Sequence, residues 1–346
     1  MGIKKLLITR FSAMGDVAMC VPVVYSLAKK YNDLEIIFLS RKNFAPIFSQ
    51  LPENVKFIGI DLKNDYKGFS GLNRLFSEIK QLEIDAYADF HDVLRTKYLR
   101  IRTFFAGIKT EKIDKGRAEK KRLIKKGAEK SSTLETTFSR YEKVLKKLGF
   151  EFETKFSSIF SDKTLTEEIL KVSGEKGSSK WVGIAPFAAH QGKILPLKTT
   201  EDVVRQLSEK GVKVFLFGAG KKEKPVLEDW QEKYENVLST AGKLGGLKNE
   251  LLLIANLDCM VSMDSANMHL ASLAGVRTVS VWGATHPKAG FLGFNQMEED
   301  PVQTPLPCRP CSVYGNKECK LSDKYKCLTS INAEDIINKI LNPGTH

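Results

Sequence analysis

Nowhere in these 346 residues does an apolar run approach the roughly 20 that cross a bilayer as a helix, so no membrane-spanning segment is expected. No secretory leader is expected either. The apolar opening K-K-L-L-I meets Thr9, Arg10, Gly15 and Asp16 too early for one, so a location inside the cell is expected. The loop after that run, R-F-S-A-M-G-D-V, holds one glycine, Gly15, where a dinucleotide fold has G-x-G-x-x-G, which argues against a dehydrogenase. Aromatic residues are scarce in the most basic part of the chain, where only Tyr98, Phe104 and Phe105 occur, and no recognition module for nucleic acid is evident. Nucleic acid is therefore not an expected partner, although a basic nucleic-acid-binding protein remains the non-enzymatic alternative.

What is present is a composition of 42% hydrophobic and 27% charged residues, that of a soluble globular protein with length for two domains. The formal charge of +13 is concentrated. Between Arg95 and Lys126 stand 13 Lys and Arg against Glu111, Asp114 and Glu119, which leaves +10 in this segment and +3 elsewhere. Such a segment suits an anionic partner, whether nucleic acid, a lipid surface or a phosphorylated acceptor; a solvated basic loop is the plain alternative. Four of the six cysteines cluster late in the chain, at Cys308, Cys311, Cys319 and Cys327. The first pair, C-R-P-C, has the spacing of a zinc knuckle, but a second C-x-x-C is missing, so a structural site for zinc or another metal, plain reduced thiols and a redox role all stay open. No histidine lies in this cluster, and no catalytic zinc is expected there.

Two series of apolar strands alternate with amphipathic segments. The first has strands at 4–11, 34–40, 55–60 and 86–90, with helices at 16–31, 72–81 and 133–148, the last closed by Gly149. A polar stretch at about 150–180 reads as the linker. The second series has strands at 181–186, 212–218, 235–241, 259–264 and 278–283, with helices between them and a final helix at 333–341. Two strand–helix alternations in tandem imply two parallel α/β sheets, and ligands of such sheets bind at the carboxyl ends of their strands. The expected domains are 1–165 and 166–346, facing each other across a cleft.

The strand ends carry the chemistry. In V-S-M-D-S-A-N-M-H-L-A, Asp264 and Ser265 occupy the position of a helix N-cap. The amides of Ser265, Ala266 and Asn267 then point out of a helix N-terminus, which favours a phosphate. Lys193 is a point charge for a phosphate, and Glu223 is placed to bond sugar hydroxyls. Three such elements at successive strand ends favour a nucleotide or nucleotide-sugar site. Asp16, at the start of the helix that follows the first strand, is either an N-cap or a general base that deprotonates an attacking hydroxyl.

Taken together, S-A-M-G-D-V (12–17), H-Q-G-K-I-L-P (190–196), G-A-G-K-K-E (218–223), D-S-A-N-M-H-L-A (264–271) and T-V-S-V-W-G-A-T-H-P (278–287) resemble glycosyltransferase family 9, the heptosyltransferases of lipopolysaccharide core assembly, over nearly the whole chain. The resemblance implies a GT-B fold of two Rossmann-like domains. It also implies an inverting transfer from a nucleotide-diphosphate sugar, typically ADP-heptose, with no metal cofactor required for catalysis. By position Asp16 is the base and Lys193 neutralises the leaving diphosphate. Gly218 lies in the ribose loop with Glu223, Leu244 contacts the base, and Asp264 holds the sugar. The amides of Ser265, Ala266 and Asn267 take the phosphate, with His269 near it. Ala266 stands where the family usually has glycine. The implied acceptor is an anionic lipid-linked oligosaccharide. This offers Arg95, Lys97, Arg100 and Arg102 a role as acceptor contacts and places the enzyme in the cytoplasm, peripheral at the inner face of the membrane. A GT-B-fold sugar-nucleotide epimerase is the enzymatic alternative.

Overall fold

The computed structural model describes residues 2–342. The chain packs as two compact units, one of residues up to 115 together with 135–156, the other of 116–134 together with 157 onward.

The first unit is built on five parallel strands, β1 (Lys5–Thr9), β2 (Glu35–Arg41), β3 (Val55–Ile60), β4 (Ala86–Asp89) and β5 (Lys109–Lys112), in the order β3-β2-β1-β4-β5. The central strand β1, K-L-L-I-T, is buried on both faces, as a parallel sheet covered by helices requires. Its helices are α1 (Met14–Ala18), α2 (Val21–Lys30), α3 (Gly68–Gln81) and α4 (Leu94–Phe105). After α5 (Arg117–Lys126), which belongs to the second unit, comes α6 (Thr137–Leu148). The single helix expected over 16–31 is two, because Pro22 has no amide to continue a helix and instead starts α2. In α6 the Thr136 side chain accepts from the Ser139 amide at 3.2 Å, which starts the helix after the expected 133. Gly149 ends it at φ 103°. Its buried Tyr141 stacks on Phe90 at 4.5 Å and so packs α6 against the end of β4.

The second unit has six parallel strands, β6 (Trp181–Ala185), β7 (Lys213–Leu216), β8 (Val237–Ser239), β9 (Cys259–Met263), β10 (Thr278–Trp282) and β11 (Val302–Gln303), ordered β11-β10-β9-β6-β7-β8. Around them lie α7 (Glu167–Ser173), α8 (Leu197–Glu209), α9 (Lys224–Lys233), α10 (Leu247–Ile254), α11 (Ala266–Leu273), α12 (Lys326–Thr329) and α13 (Ala333–Leu341). Its core joins Val182, Ile184, Val214 and Val261 of the sheet to Val203 and Leu207 of α8 and to Ile336 of α13.

Two features depart from the reading of the sequence. The stretch 150–180, read as the linker, carries a helix that was not expected, α7, with Ile169 buried. The basic segment is also divided between the units: α4 and β5 belong to the first, whereas 116–134 belongs to the second. The reason is backbone pairing. Ala128 N–H donates to the Arg309 carbonyl at 2.9 Å and Leu134 N–H to the Lys288 carbonyl at 2.9 Å. Lys288 Nζ returns bonds to the Ala128 and Ser131 carbonyls at 2.9 and 3.0 Å. The +10 segment is thus two basic surfaces on two units, where one was expected.

In the second unit the loop after β6 is drawn onto the end of β10, where Ala284 N–H donates to the Gly192 carbonyl at 2.8 Å. A Cβ at Gly283 would stand 2.6 Å from that carbonyl oxygen and 2.6 Å from Leu328 Cγ. Backbone cannot yield as a side-chain end does. Gly283→Ala is therefore expected to destabilise by about 1–3 kcal/mol, read as a melting-temperature loss of roughly 2–10 °C by calorimetry. An unchanged melting temperature would show that the approach is not tight.

Candidate functional site

In each unit the strand order reverses once, between β1 and β4 in the first and between β6 and β9 in the second. The loops that follow those two strands diverge there and open a crevice at the sheet's carboxyl edge. Both crevices hold paired charges.

In the second unit the loop after β6 ends in a 3₁₀ turn, Gln191–Lys193, and the loop after β9 begins with Asp264. Lys193 Nζ lies 2.8 Å from Asp264 Oδ2, with both side chains largely buried. Gly315 lies against the Lys193 stem: a Cβ there would meet Lys193 Cγ at 2.7 Å, and φ +74° suits glycine. Asp264 is held at its backbone by donating to the Val281 carbonyl at 3.1 Å. Directly after it, Ser265 is the N-cap residue of α11, and its hydroxyl is 3.2 Å from that of Ser262 rather than bonded to the helix amides. Ser265, Ala266 and Asn267 are half-buried at this helix N-terminus, while His269 is buried one turn further on. The helix dipole and Lys193 thus put positive potential side by side, with a carboxylate between them.

The remaining strand ends of the second unit carry the other residues singled out in the sequence. Glu223 is the N-cap residue of α9, and its carboxylate folds back to accept from the amides of Ala219 at 3.0 Å and Gly220 at 2.8 Å. Gly218 allows this, because a Cβ there would meet Leu227 at 2.9 Å and Glu223 Oε2 at 3.2 Å. Leu244, after β8, is buried and receives a bond from Asn249 on its carbonyl. After β10, Arg309 donates to the carbonyls of Trp282, Gly283, Thr285 and Thr304, which fixes that loop from within.

In the first unit the crevice holds Asp16, at the third position of α1. Its Oδ2 accepts from the Ala13 amide at 3.1 Å, as a helix-capping carboxylate does, and also faces Arg10 Nη2 at 2.7 Å. Arg10 is buried and donates through Nη1 to the Phe90 carbonyl at 2.8 Å, which couples the end of β1 to the end of β4. The Tyr141 hydroxyl donates to the Asp16 carbonyl at 3.2 Å. His91, after β4, faces the same loop, with Nδ1 3.4 Å from the Phe11 amide and Nε2 3.4 Å from the Ser12 hydroxyl. Burial, then the charges of Arg10 and Lys115, push its imidazole down to about 3. Arg10, His91 and Tyr141 were not singled out as site residues in the sequence. For His91 a signal was available, a histidine just past the carboxyl end of the short strand β4; Arg10 and Tyr141 carry none of that kind.

The structure also shows the surroundings of the expected acceptor contacts and of the cysteines. Arg100 is bound to Asp89 at 2.6 Å and Asp92 at 3.2 Å, so its charge is taken inside the unit. Arg102 lies over the Phe76 ring at 4.4 Å and donates to Asn73 and Tyr98, whereas Arg95 is exposed and Lys97 half-buried. All six cysteines are free thiols, Cys308 exposed and Cys327 buried. Among the described residues no group of three or more His, Cys, Asp or Glu is arranged to hold a metal ion. Cys308, Cys311, Cys319 and Cys327 nonetheless lie near enough to act electrostatically on one another, and the guanidinium of Arg309 acts on Cys308, Cys311 and Cys327.

Comparison with known proteins adds the following. A family model described as glycosyltransferase family 9 (heptosyltransferase) matches residues 74–321. The chain is 24% identical to lipooligosaccharide heptosyltransferase 2 of Campylobacter jejuni, over 94% of this chain and 95% of that protein. Among solved structures, a family 9 glycosyl transferase from Veillonella parvula superposes with a TM-score of 0.74 at 19% identity, covering 98% of this chain and 96% of that one. An ADP-heptose lipopolysaccharide heptosyltransferase II from E. coli gives 0.68 at 17%, covering 98% and 97%.

Two titrations follow from the geometry. His91 and His286, the latter pushed down to about 4 by burial and by Arg309 and Lys288, are neutral in the fold. Below the ordinary value of 6.5 the unfolded chain binds protons that these folded imidazoles refuse, so stability is full above that pH and is lost as pH falls toward 4 and 3. A His91→Gln/His286→Gln variant should show a flatter melting temperature between those limits; curves parallel to the parent's would refute the assignment. With a thiol reagent, exposed Cys308 should react in the folded protein. Cys20 and Cys259, buried and pushed up to about 12 and about 11, should react only on unfolding.

Proposed function

The chain belongs to glycosyltransferase family 9, the heptosyltransferases, and has the fold of two Rossmann-like domains known as GT-B; from that premise we propose that it moves heptose from ADP-heptose to a lipid-linked lipopolysaccharide-core acceptor, with inversion at the anomeric carbon. The observation that supports this most directly is the Lys193–Asp264 pair at the second unit's strand-order reversal, set against the N-terminus of α11. The names of the Campylobacter relative and the E. coli structure agree with the donor and the acceptor class.

The chemistry assigned to these residues is a single displacement. The acceptor hydroxyl oxygen attacks the anomeric carbon, the bond from that carbon to the diphosphate oxygen breaks, and ADP departs with the electron pair. The proton of the hydroxyl passes to the Asp16 carboxylate, which Arg10 and the Ala13 amide hold in position. Charge that develops on the diphosphate meets Lys193 and the amides of Ser265, Ala266 and Asn267. Before donor arrives, Asp264 keeps Lys193 in place. The diphosphate then competes for the ammonium and leaves the Asp264 carboxylate to accept from sugar hydroxyls. In the same reading Glu223 serves the ribose, Leu244 the adenine side and His269 the phosphate end. Arg95, Lys97, Arg100 and Arg102 serve the anionic acceptor, with the charge of Arg100 already shared by Asp89.

Donor screening with a panel of nucleotide sugars, scored as mass transferred to a core-lipid extract, tests the reaction; release of free sugar without transfer would overturn it in favour of an epimerase. Asp16→Ala should lower turnover by roughly 10²–10⁴ while ADP affinity measured by calorimetry stays near that of the parent. Turnover close to the parent's would leave Asp16 as a helix cap only. Lys193→Ala should show the opposite partition, a loss of ADP affinity as well as turnover, because its charge is offered to the diphosphate in both ground and transition states.

A further inference from the structure

Helix α4, L-R-T-K-Y-L-R-I-R-T-F-F, is turned the wrong way for a surface helix. It buries Thr96, Leu99 and Thr103, two of them hydroxyl residues, and shows its large apolar side chains outward. Leu94 (87%), Ile101 (54%), Phe104 (65%) and Phe105 (82%) account for four of the nine exposed large hydrophobic residues among those described. An ordinary amphipathic helix places its apolar stripe inward and its charges in water. Spacings of seven and four residues put Leu94, Ile101 and Phe105 on one line, with Phe104 beside it. From α3, Phe69, equally exposed, sets its ring edge-on to Tyr98 of α4 at 6.3 Å and widens the patch. Beyond Phe104 and Phe105 an open groove of about 320 Å³ runs between α4 and β5, walled by Ile101 and both phenylalanines, with Arg100, Lys112 and Glu111 at its polar side.

The charge on this helix is of one sign. Arg95, Lys97, Arg100 and Arg102 are its only ionisable acid–base groups besides Tyr98, and α4 has no Asp or Glu. Arg100 is neutralised by Asp89 and Asp92, which leaves Arg95, Lys97 and Arg102 to flank the apolar line. The Arg102 guanidinium stands 4.4 Å from the Phe76 ring centre and 5.7 Å from that of Tyr98, so its cation stays at the patch.

We propose that this face of the first unit docks on an anionic phospholipid bilayer, Leu94, Ile101, Phe104 and Phe105 entering the headgroup–acyl boundary while Arg95, Lys97 and Arg102 lie among lipid phosphates. Exposed Phe and Leu on one side with Lys and Arg beside them is the pattern that binds in the plane of a membrane interface. A second copy fits worse, because a two-fold contact sets each patch against itself and brings three cations of one helix onto three of the other without an acid on either. Single-stranded nucleic acid fits worse also, since Leu94 and Ile101 offer no ring face to a base and Phe104 stands edge-on to Phe105. The docking rests on the proposed lipid-linked acceptor for its purpose, but it is measurable without any substrate.

The test is co-sedimentation with phosphatidylcholine vesicles, with and without phosphatidylglycerol, at low and at high salt. The protein should sediment with the phosphatidylglycerol vesicles at low salt and be released by salt. Phe104→Ser/Phe105→Ser should weaken partition by about tenfold or more, as expected when an interfacial helix loses its apolar anchors. Arg95→Gln and Lys97→Gln should each weaken it by about fivefold, the worth of one charge near an anionic surface. The double phenylalanine variant should keep the parent's melting temperature, ADP affinity and transfer to a detergent-solubilised acceptor. Equal partition of parent and phenylalanine variant, no binding by the parent, or displacement of vesicles by a short RNA would overturn the proposal. A parent dimer in sedimentation velocity that the same variant dissolves would overturn it as well. Vesicle binding in a protein that transfers no sugar would instead overturn the proposed function and leave the docking standing.

Discussion

In a parallel sheet every strand enters from the same side, so all the loops that follow the strands emerge along one edge. Most of the chemistry-bearing residues of this chain depend on that constraint. Once the order reverses, at β1/β4 and at β6/β9, neighbouring loops turn away from each other and leave polar side chains at the strand ends without backbone to cover them. The two units meet the resulting problem in the same way, with one cation and one carboxylate from loops on the sheet's central strands. Lys193 after β6 pairs with Asp264 after β9, and Arg10 after β1 pairs with Asp16 while reaching the end of β4 through the Phe90 carbonyl.

Such pairs are more useful as positioning devices than as sources of stability. Desolvating two charges costs nearly as much as their attraction returns, so a buried pair contributes little net, whereas removing one partner alone costs about 3–5 kcal/mol. Lys193 and Asp264 are therefore held together by the penalty of being apart, and an anionic ligand that brings its own charge can exchange for Asp264 with modest loss. The glycines around them keep that exchange local. Gly192, Gly283 and Gly315 admit backbone and the Lys193 stem at distances a Cβ would forbid, so the ammonium is aimed by the main chain rather than by its flexible side chain. The same logic separates Arg100 from its neighbours on α4. Asp89, fully buried at the end of β4, needs a cation, and Arg100 supplies it.

Strand ends were legible in the sequence because they depend on local pattern. Asp264 follows C-M-V-S-M, apolar but for Ser262, and precedes small residues, which places it at a strand-to-helix turn without reference to the rest of the chain. The family resemblance rests on such local motifs. Pairings across the fold were not legible in that way. Nothing near Lys193 says that its partner is Asp264, and nothing near Arg10 says that it reaches Phe90. The strand β5, K-T-E-K, was missed because it is an edge strand that buries little apolar surface and so carries no apolar signal. The division of the basic segment was missed for a related reason. Segment 116–134 joins the second unit through bonds from Ala128, Ser131 and Leu134 that involve main-chain atoms on this segment, and those leave no trace in residue type.

Helix α4 shows where local reading and tertiary context part most sharply. By composition alone it is a basic stretch, and its charges drew attention to an anionic partner. In the fold the apolar residues are the exposed ones, while one of the four arginine and lysine side chains is consumed by buried acids. A helix that packed through Leu94, Ile101, Phe104 and Phe105 would bury far more apolar surface than one that packs through Thr96, Leu99 and Thr103, so stability alone favours the opposite rotation. What holds it is Asp89: turning α4 inward on its apolar line would carry Arg100 away from a carboxylate with no access to water. An exposed row of large apolar side chains is an aggregation hazard unless something covers it. The retained orientation thus ties the electrostatics of the β1/β4 crevice to the surface that α4 presents outside.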